Sequence, residues 1–284
     1  MVTVPFRWNL ARRAELGRLV EGVRAASYPE MLDDLAECAA RVVATAGATT
    51  MVFVGRSPES LFDYLSGVFF RSPWQDQLAL LQLSVRLDGR ALAPARVRAL
   101  APYLAATGVT PARIATAPRP VTFCDLVYEG ATFARLFAIV RRLAEDEGAD
   151  WNVVRRRLRF CGITPRKKTS PNAFRWQEHA AWRDELPRSA IRNVSIPPRL
   201  WSYLGDHQDK TTDPYVSRRW GAVDAASPSR DPARLAALRL AADLFDLGRE
   251  RRERLAFAAR LAARPEMKHA WLRDLVESLR RASR

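Results

Sequence analysis

A chain of 284 residues and 32.0 kDa can bury one large core, or one core with an appendage. Hydrophobic residues make up 48% and charged residues 27%, which excludes a disordered or fibrous chain, and no apolar run approaches the ~20 residues of a membrane span. The 46 Lys and Arg against 31 Asp and Glu leave a net charge of +15, which suits polyphosphates, nucleic acid or anionic surfaces, although arginine and alanine dominance is also what a GC-rich coding sequence produces.

The first residues, Met-Val-Thr-Val-Pro-Phe-Arg-Trp, lack the apolar core of a signal peptide, so the chain reads as cytoplasmic and without a membrane partner. Residues 7–47 read as a helical pair: Leu10, Leu16, Leu19 and Val20 mark one stripe, and Met31, Leu32, Leu35, Ala39, Val42 and Val43 the other. Ser27 or Tyr28 stands near the second helix start, with Pro29 in its first turn, and Gly47 ends it. Thr49 to Val54 is a β-branched run, hence a buried strand, followed by Gly55-Arg56-Ser57-Pro58 and a helix carrying Leu61, Phe62, Leu65 and Phe69. Ser57 suits the helix cap and Pro58 the first turn.

A third strand is expected at Ala79 to Leu87, a helix over 94–106, and a strand over 120–125. The last ends at Asp125 and turns through Tyr128-Glu129-Gly130-Ala131-Thr132 into a helix with Phe133, Leu136, Phe137 and Val140, closed by Gly148. Strand, small-residue turn and helix bring free N–H groups and a helix amino end toward an anion, although the same unit is an ordinary connection in α/β domains. Leu158 to Thr164 is the next strand, and Arg192 to Ile196 reads as the last. Strands alternating with helices give the expected fold: an α/β, doubly wound, mostly parallel sheet with an N-terminal helical pair and a C-terminal helical tail.

From Arg155 to Trp176 there are eight cations and no acid: Arg155, Arg156, Arg157, Arg159, Arg166, Lys167, Lys168 and Arg175. With Trp151, Phe160, Phe174 and Trp176 interleaved, the segment reads as a polyphosphate or nucleic-acid surface, or as a solvated helix end with a basic loop. Residues 177–221 are rich in Trp and Pro, 222–231 looks like a linker, and three amphipathic helices follow. The expected segments are 1–47, 48–221 and 222–284. Cys38, Cys124 and Cys161, and His179, His207 and His269, are too scattered for a disulfide framework or a zinc spacing.

The stretch from Pro120 to Thr132 resembles the signature of the type I phosphoribosyltransferases: four apolar residues, two acids, two apolar residues and a small-residue loop ending in Gly-x-Thr. Cys124 stands where that family has its first acid, and Glu129 places a carboxylate in the loop. The resemblance, which spans Thr49 to Thr164, implies that Asp125 holds the ribose hydroxyls of phosphoribosyl pyrophosphate and a magnesium ion. It implies that Gly130, Ala131 and Thr132 take the 5-phosphate, and that Gly55, Arg56 and Ser57 take the pyrophosphate. Arg166, Lys167 and Lys168, just past a strand end, join the substrate-binding candidates, and residues 177–221 stand where the family covers its base with a hood. Asp125 and Glu129 are the candidate catalytic acids. The implied activity is ribosylation of a base or another nucleophile with release of pyrophosphate. The alternative is a non-catalytic nucleotide-sensing regulator with a basic nucleic-acid-binding surface. The acceptor and the oligomeric state are not legible in the sequence.

Overall fold

The computed structural model describes residues 4–24, 27–28, 30–85, 93–166, 176–222, 228 and 230–282. In chain order the helices are α1 (Arg13–Leu16), α2 (Met31–Ala46), α3 (Glu59–Val68), α4 (Pro94–Ala106), α5 (Pro111–Thr116), α6 (Ala131–Glu147), α7 (Trp151–Arg157), α8 (Pro198–Ser202), α9 (Pro232–Arg249), α10 (Arg251–Ala262) and α11 (Ala270–Arg281). The strands are β1 (Thr50–Val54), β2 (Leu78–Leu81), β3 (Val121–Leu126), β4 (Leu158–Pro165) and β5 (Ile191–Ile196).

They form one all-parallel sheet in the order β2-β1-β3-β4-β5. The expected neighbours pair in register, Thr50 with Val121 through Phe53 with Cys124. Alternate residues of each strand feed two cores. Met51, Phe53, Cys124, Cys161, Ile163 and Val194 face α2, α3, α8 and the C-terminal helices. Val52, Val54, Val121, Phe123, Leu158 and Phe160 face α4, α5, α6 and α7. Burial on both faces is why these strands read as near-continuous apolar runs.

The C-terminal helices complete the first of these layers: Leu240, Leu244, Phe257, Leu261, Leu272 and Leu275 share a cluster with Leu35, Leu61 and Leu65. Gly67 of α3 and Gly248 of α9 let the two backbones touch, since a Cβ on Gly67 would lie 2.1 Å from the Phe245 carbonyl oxygen.

Four local features depart from the sequence reading. The first helix of the expected N-terminal pair is a single turn, because Gly17 and Gly22 take positive φ values of 49° and 69°. Its apolar residues Leu10, Leu16 and Val20 still pack on Leu238 and Phe245 of α9. The strand expected at 79–87 stops at Leu81: Gln82 N–H donates to the Tyr103 hydroxyl (2.8 Å) and Ser84 N–H to the Tyr215 carbonyl (3.1 Å), both off the ladder. Residues 86 and 87 of that expectation lie outside the described residues. Three short helices were missed, α5 behind the Thr110 cap, α7 behind the Asp150 cap and α8 behind Pro197 and Pro198. The cysteines, scattered in sequence, meet in the core: Cys124 pairs in register with Cys161, and Cys38 on α2 joins them; all three are free and buried. Burial pushes the Cys124 thiol well up, so the group packs as a small apolar cluster rather than reacting.

Candidate functional site

In this strand order the chain reverses direction between β1 and β3, and ligands of open α/β sheets bind outside the carboxyl ends of the strands at such a point. A cleft of about 410 Å³ opens there. It is lined by Ser57 from the β1–α3 connection, by Leu126 through Thr132 and Arg135 from β3, the turn and α6, and by Trp201, Gly205 and Asp206.

The turn is shaped by Gly130, which caps α6 with φ 79° and ψ 9° and offers no side-chain cap. The first N–H groups of this 17-residue helix therefore face the cleft end without a capping side chain. The resemblance gives Gly130 to a 5-phosphate, which needs the space beside its Cα. The room is used by the protein: a Cβ there would lie 2.3 Å from Cε3 of Trp176, whose indole N–H donates to Asn193 Oδ1 (2.9 Å). Ala131 is exposed and Thr132 half-buried, both on the cleft wall. Glu129 is exposed and belongs to the cleft lining.

Asp125 is buried, 6% exposed, and does not line the cleft. The Thr132 hydroxyl and the Leu126 N–H donate to its carboxylate. Burial pushes this carboxyl up to about 8, against those two bonds and the pull of Lys210. Lys210, 8% exposed, is lowered by burial to about 8, while Glu59, Asp206 and Asp125 pull it upward. Its ammonium donates to the Leu204 carbonyl, inside the wide turn Tyr203–His207 that carries Gly205 and Asp206 into the cleft wall. As a metal ligand Asp125 does not fit: its carboxylate is turned inward to Thr132, and among the described residues no group of three His, Cys, Asp or Glu side chains is placed to hold a metal ion.

The β1 loop is occupied by the chain itself. Arg56 donates to the Thr212 carbonyl (3.1 Å), and Glu59, 1% exposed, accepts from the Thr211 N–H (3.1 Å) and hydroxyl (2.7 Å). Gln82 donates to Thr212 Oγ1 (3.0 Å) and Gln208 to Ser60 Oγ (2.6 Å). Residues 208–216 thus strap over the carboxyl ends of β1 and β2, leaving Ser57 as the member of Gly55-Arg56-Ser57 that reaches the cleft. Arg7 joins from the amino terminus through an ion pair with Asp63, whose carboxyl burial raises to about 6.

The basic segment divides between the two edges of the sheet. Arg155, Arg156, Arg157 and Arg159 sit at the amino edge and bond backbone carbonyls, of Glu185 (2.6 Å), Asn152 (2.8 Å), Ile114 (2.8 Å) and Arg156 (2.8 Å) respectively. They close helix ends rather than forming one open cationic surface with the cleft. Arg166 is exposed past the carboxyl end of β4, while Lys167, Lys168 and Arg175 lie outside the described residues.

Sequence reasoning missed Arg135, whose guanidinium lines the cleft and donates to the Val85 carbonyl, along with Asp206 and Lys210. Trp201, noted in the Trp-rich region, stands against Tyr128 with ring centroids 6.1 Å apart and donates to the Ile163 carbonyl (3.1 Å). Spacing carried no signal for Trp201, Asp206 or Lys210, because they come from a segment some seventy residues beyond the turn, whereas Arg135 stands on α6 one turn past Thr132. Among the described residues no helix is long and apolar enough to cross a membrane. No family model, curated protein or solved structure matches the chain.

Proposed function

We propose that the cleft binds a phosphoribosyl compound, phosphoribosyl pyrophosphate or a nucleotide, with its phosphate on the Gly130–Thr132 turn. The observation that supports this reading is the meeting of Ser57 and the Tyr128–Thr132 turn in one cleft at the reversal of strand order. An uncapped helix amino end and the Arg135 cation favour an anion there. The Leu126, Tyr128 and Trp201 side takes the less polar part of the ligand. Phosphoribosyl transfer with release of pyrophosphate is the reaction that goes with such a ligand. Magnesium then enters on the diphosphate as part of the substrate. The exposed Arg166 would serve the diphosphate rather than nucleic acid.

A second reading, binding without transfer, is favoured by one observation: Asp125, the acid at the strand end, is bonded inward to Thr132 and lies outside the cleft lining. Two measurements separate them. Calorimetry with phosphoribosyl pyrophosphate and with nucleoside monophosphates should show binding weakened by Thr132→Val; unchanged binding would remove both readings. Pyrophosphate release with a panel of bases then decides between them. If Asp125 holds the ribose, Asp125→Asn should cost roughly tenfold in affinity, the worth of about one hydrogen bond. If it only supports Thr132, affinity should fall far less and no pyrophosphate should be released.

A further inference from the structure

A second cavity, of about 270 Å³, opens at the opposite, amino edge of the sheet. It is lined by Thr122 of β3, by Arg159 and Cys161 of β4 and by Arg192 of β5. Both arginines project to the α2 side, since they alternate with Leu158, Phe160 and Ile191, which face the other core. Both arginines line the cavity, together with Ala44 and Ala46 of α2 and with Trp271.

Among the described residues, neither arginine is paired with a carboxylate. Arg159 donates to the Arg156 and Leu158 carbonyls (2.8 Å each), and Arg192 to the Thr45 carbonyl at 3.4 Å. Burial lowers the Arg159 pKa, and the nearby charges of Arg192 and Arg157 lower it further. The cluster carries a like-charge strain that an anion would relieve. His269, just before the 12-residue α11, and Trp271 in its first turn line the same cavity, and His269 gives that helix no side-chain cap. Two features count the other way. Glu266 lines the cavity, and the carbonyl end of α2 reaches it at Ala44–Gly47, where Arg192 already takes up Thr45.

We infer that this amino-edge cavity is a second anion site, taking a phosphate group between Arg159, Arg192 and the amino end of α11. It is separate from the carboxyl-edge cleft and does not depend on the function proposed for it. Guanidinium pairs match phosphate oxygens by twin hydrogen bonds. The phosphate could be free or part of a phosphomonoester.

The test is calorimetric titration of the full chain with inorganic phosphate and with ribose 5-phosphate in chloride buffer. Arg192→Ala and Arg159→Ala should each weaken one binding component on the order of tenfold or more, and Thr132→Val should leave that component unchanged. Glu266→Gln should tighten it by roughly threefold to tenfold, because a carboxylate beside the anion is removed. Equal affinity for the two probes assigns the site to free phosphate, and tighter ribose 5-phosphate assigns it to a phosphomonoester. The proposal is overturned if the wild-type chain takes up no phosphate at millimolar concentration. It is equally overturned if Arg192→Ala, exposed and with an unchanged circular dichroism spectrum, binds as wild type does. Weaker binding by Glu266→Gln would also overturn it, since Glu266 would then be organising the arginines rather than opposing a ligand.

Discussion

At the carboxyl edge of the sheet the chain turns from strand to helix twice at neighbouring strands, through Gly55–Pro58 after β1 and through Val127–Gly130 after β3. Both turns carry a glycine with φ near 80°, and both lead into a helix with no side-chain cap. After β1 the turn is closed by residues 208–216, whose Thr211 and Thr212 satisfy Glu59 and Arg56. After β3 the turn is open, and the cleft lies against it. The same local design therefore yields a buried polar junction in one place and a ligand-sized space in the other. The difference comes from the segment that crosses over, not from the turn.

The largest expected effect tests the open turn. Gly130→Ala forces a side chain into positive φ and against Trp176, and should cost about 3 kcal/mol or more in urea denaturation. An unchanged midpoint would mean that Trp176 is not seated on the turn. The closed turn is tested by Glu59→Ala, which leaves the Thr211 donors and part of the Arg7 charge without their acceptor. A loss of about 2–3 kcal/mol is expected, and a negligible loss would show that the strap does not depend on this junction.

The titration of the two sides gives a third test. Asp125, raised by burial from 3.8 to about 8, holds a proton in the folded chain that the unfolded chain has released, so stability falls as pH rises from about 4 to 8. Asp63, raised to about 6, adds to that fall only below about pH 6. Lys210, lowered from 10.5 to about 8, acts in the opposite window: the unfolded chain keeps the proton that the folded chain has lost, and stability rises again from about pH 8 to 10.5. Denaturation midpoints should therefore pass through a minimum near pH 8. Asp125→Asn should flatten the slope between pH 6 and 8, whose ceiling is about 1.4 kcal/mol per pH unit. A slope left intact by that substitution would place the titrating group elsewhere.

The smallest effects sit on the rim. Thr132→Val should weaken phosphoribosyl-ligand binding by roughly tenfold, through the lost hydroxyl and the acid it satisfies. Glu129→Gln should leave binding equal or up to about threefold tighter, since the carboxylate is exposed and screened by solvent. Loss of binding with Glu129→Gln would make that residue a ligand contact and the open turn something other than a phosphate cradle.

Much of the fold was legible because parallel strands buried on both faces announce themselves as apolar runs, and the runs at Thr50–Val54, Val121–Leu126, Leu158–Pro165 and Ile191–Ile196 stand in the structure within a residue or two of where the sequence put them. The turn at Gly130 and the helix after it were readable for the same local reason, a small residue followed by 3.6-residue periodicity. Local pattern could not say what faces what. That Gly130 shelters an indole, that Arg56 is spent on a carbonyl 156 positions away and that three distant cysteines touch are facts of packing between segments far apart in sequence. The sequence by itself determined four of the strands and the turns after β1 and β3, since these follow from side-chain pattern and backbone preference within a few residues, whereas the end of β2 is set by Tyr103 and Tyr215. Only the tertiary structure decided which turn stays open, because that depends on which distant backbone groups reach the strand ends and satisfy them first.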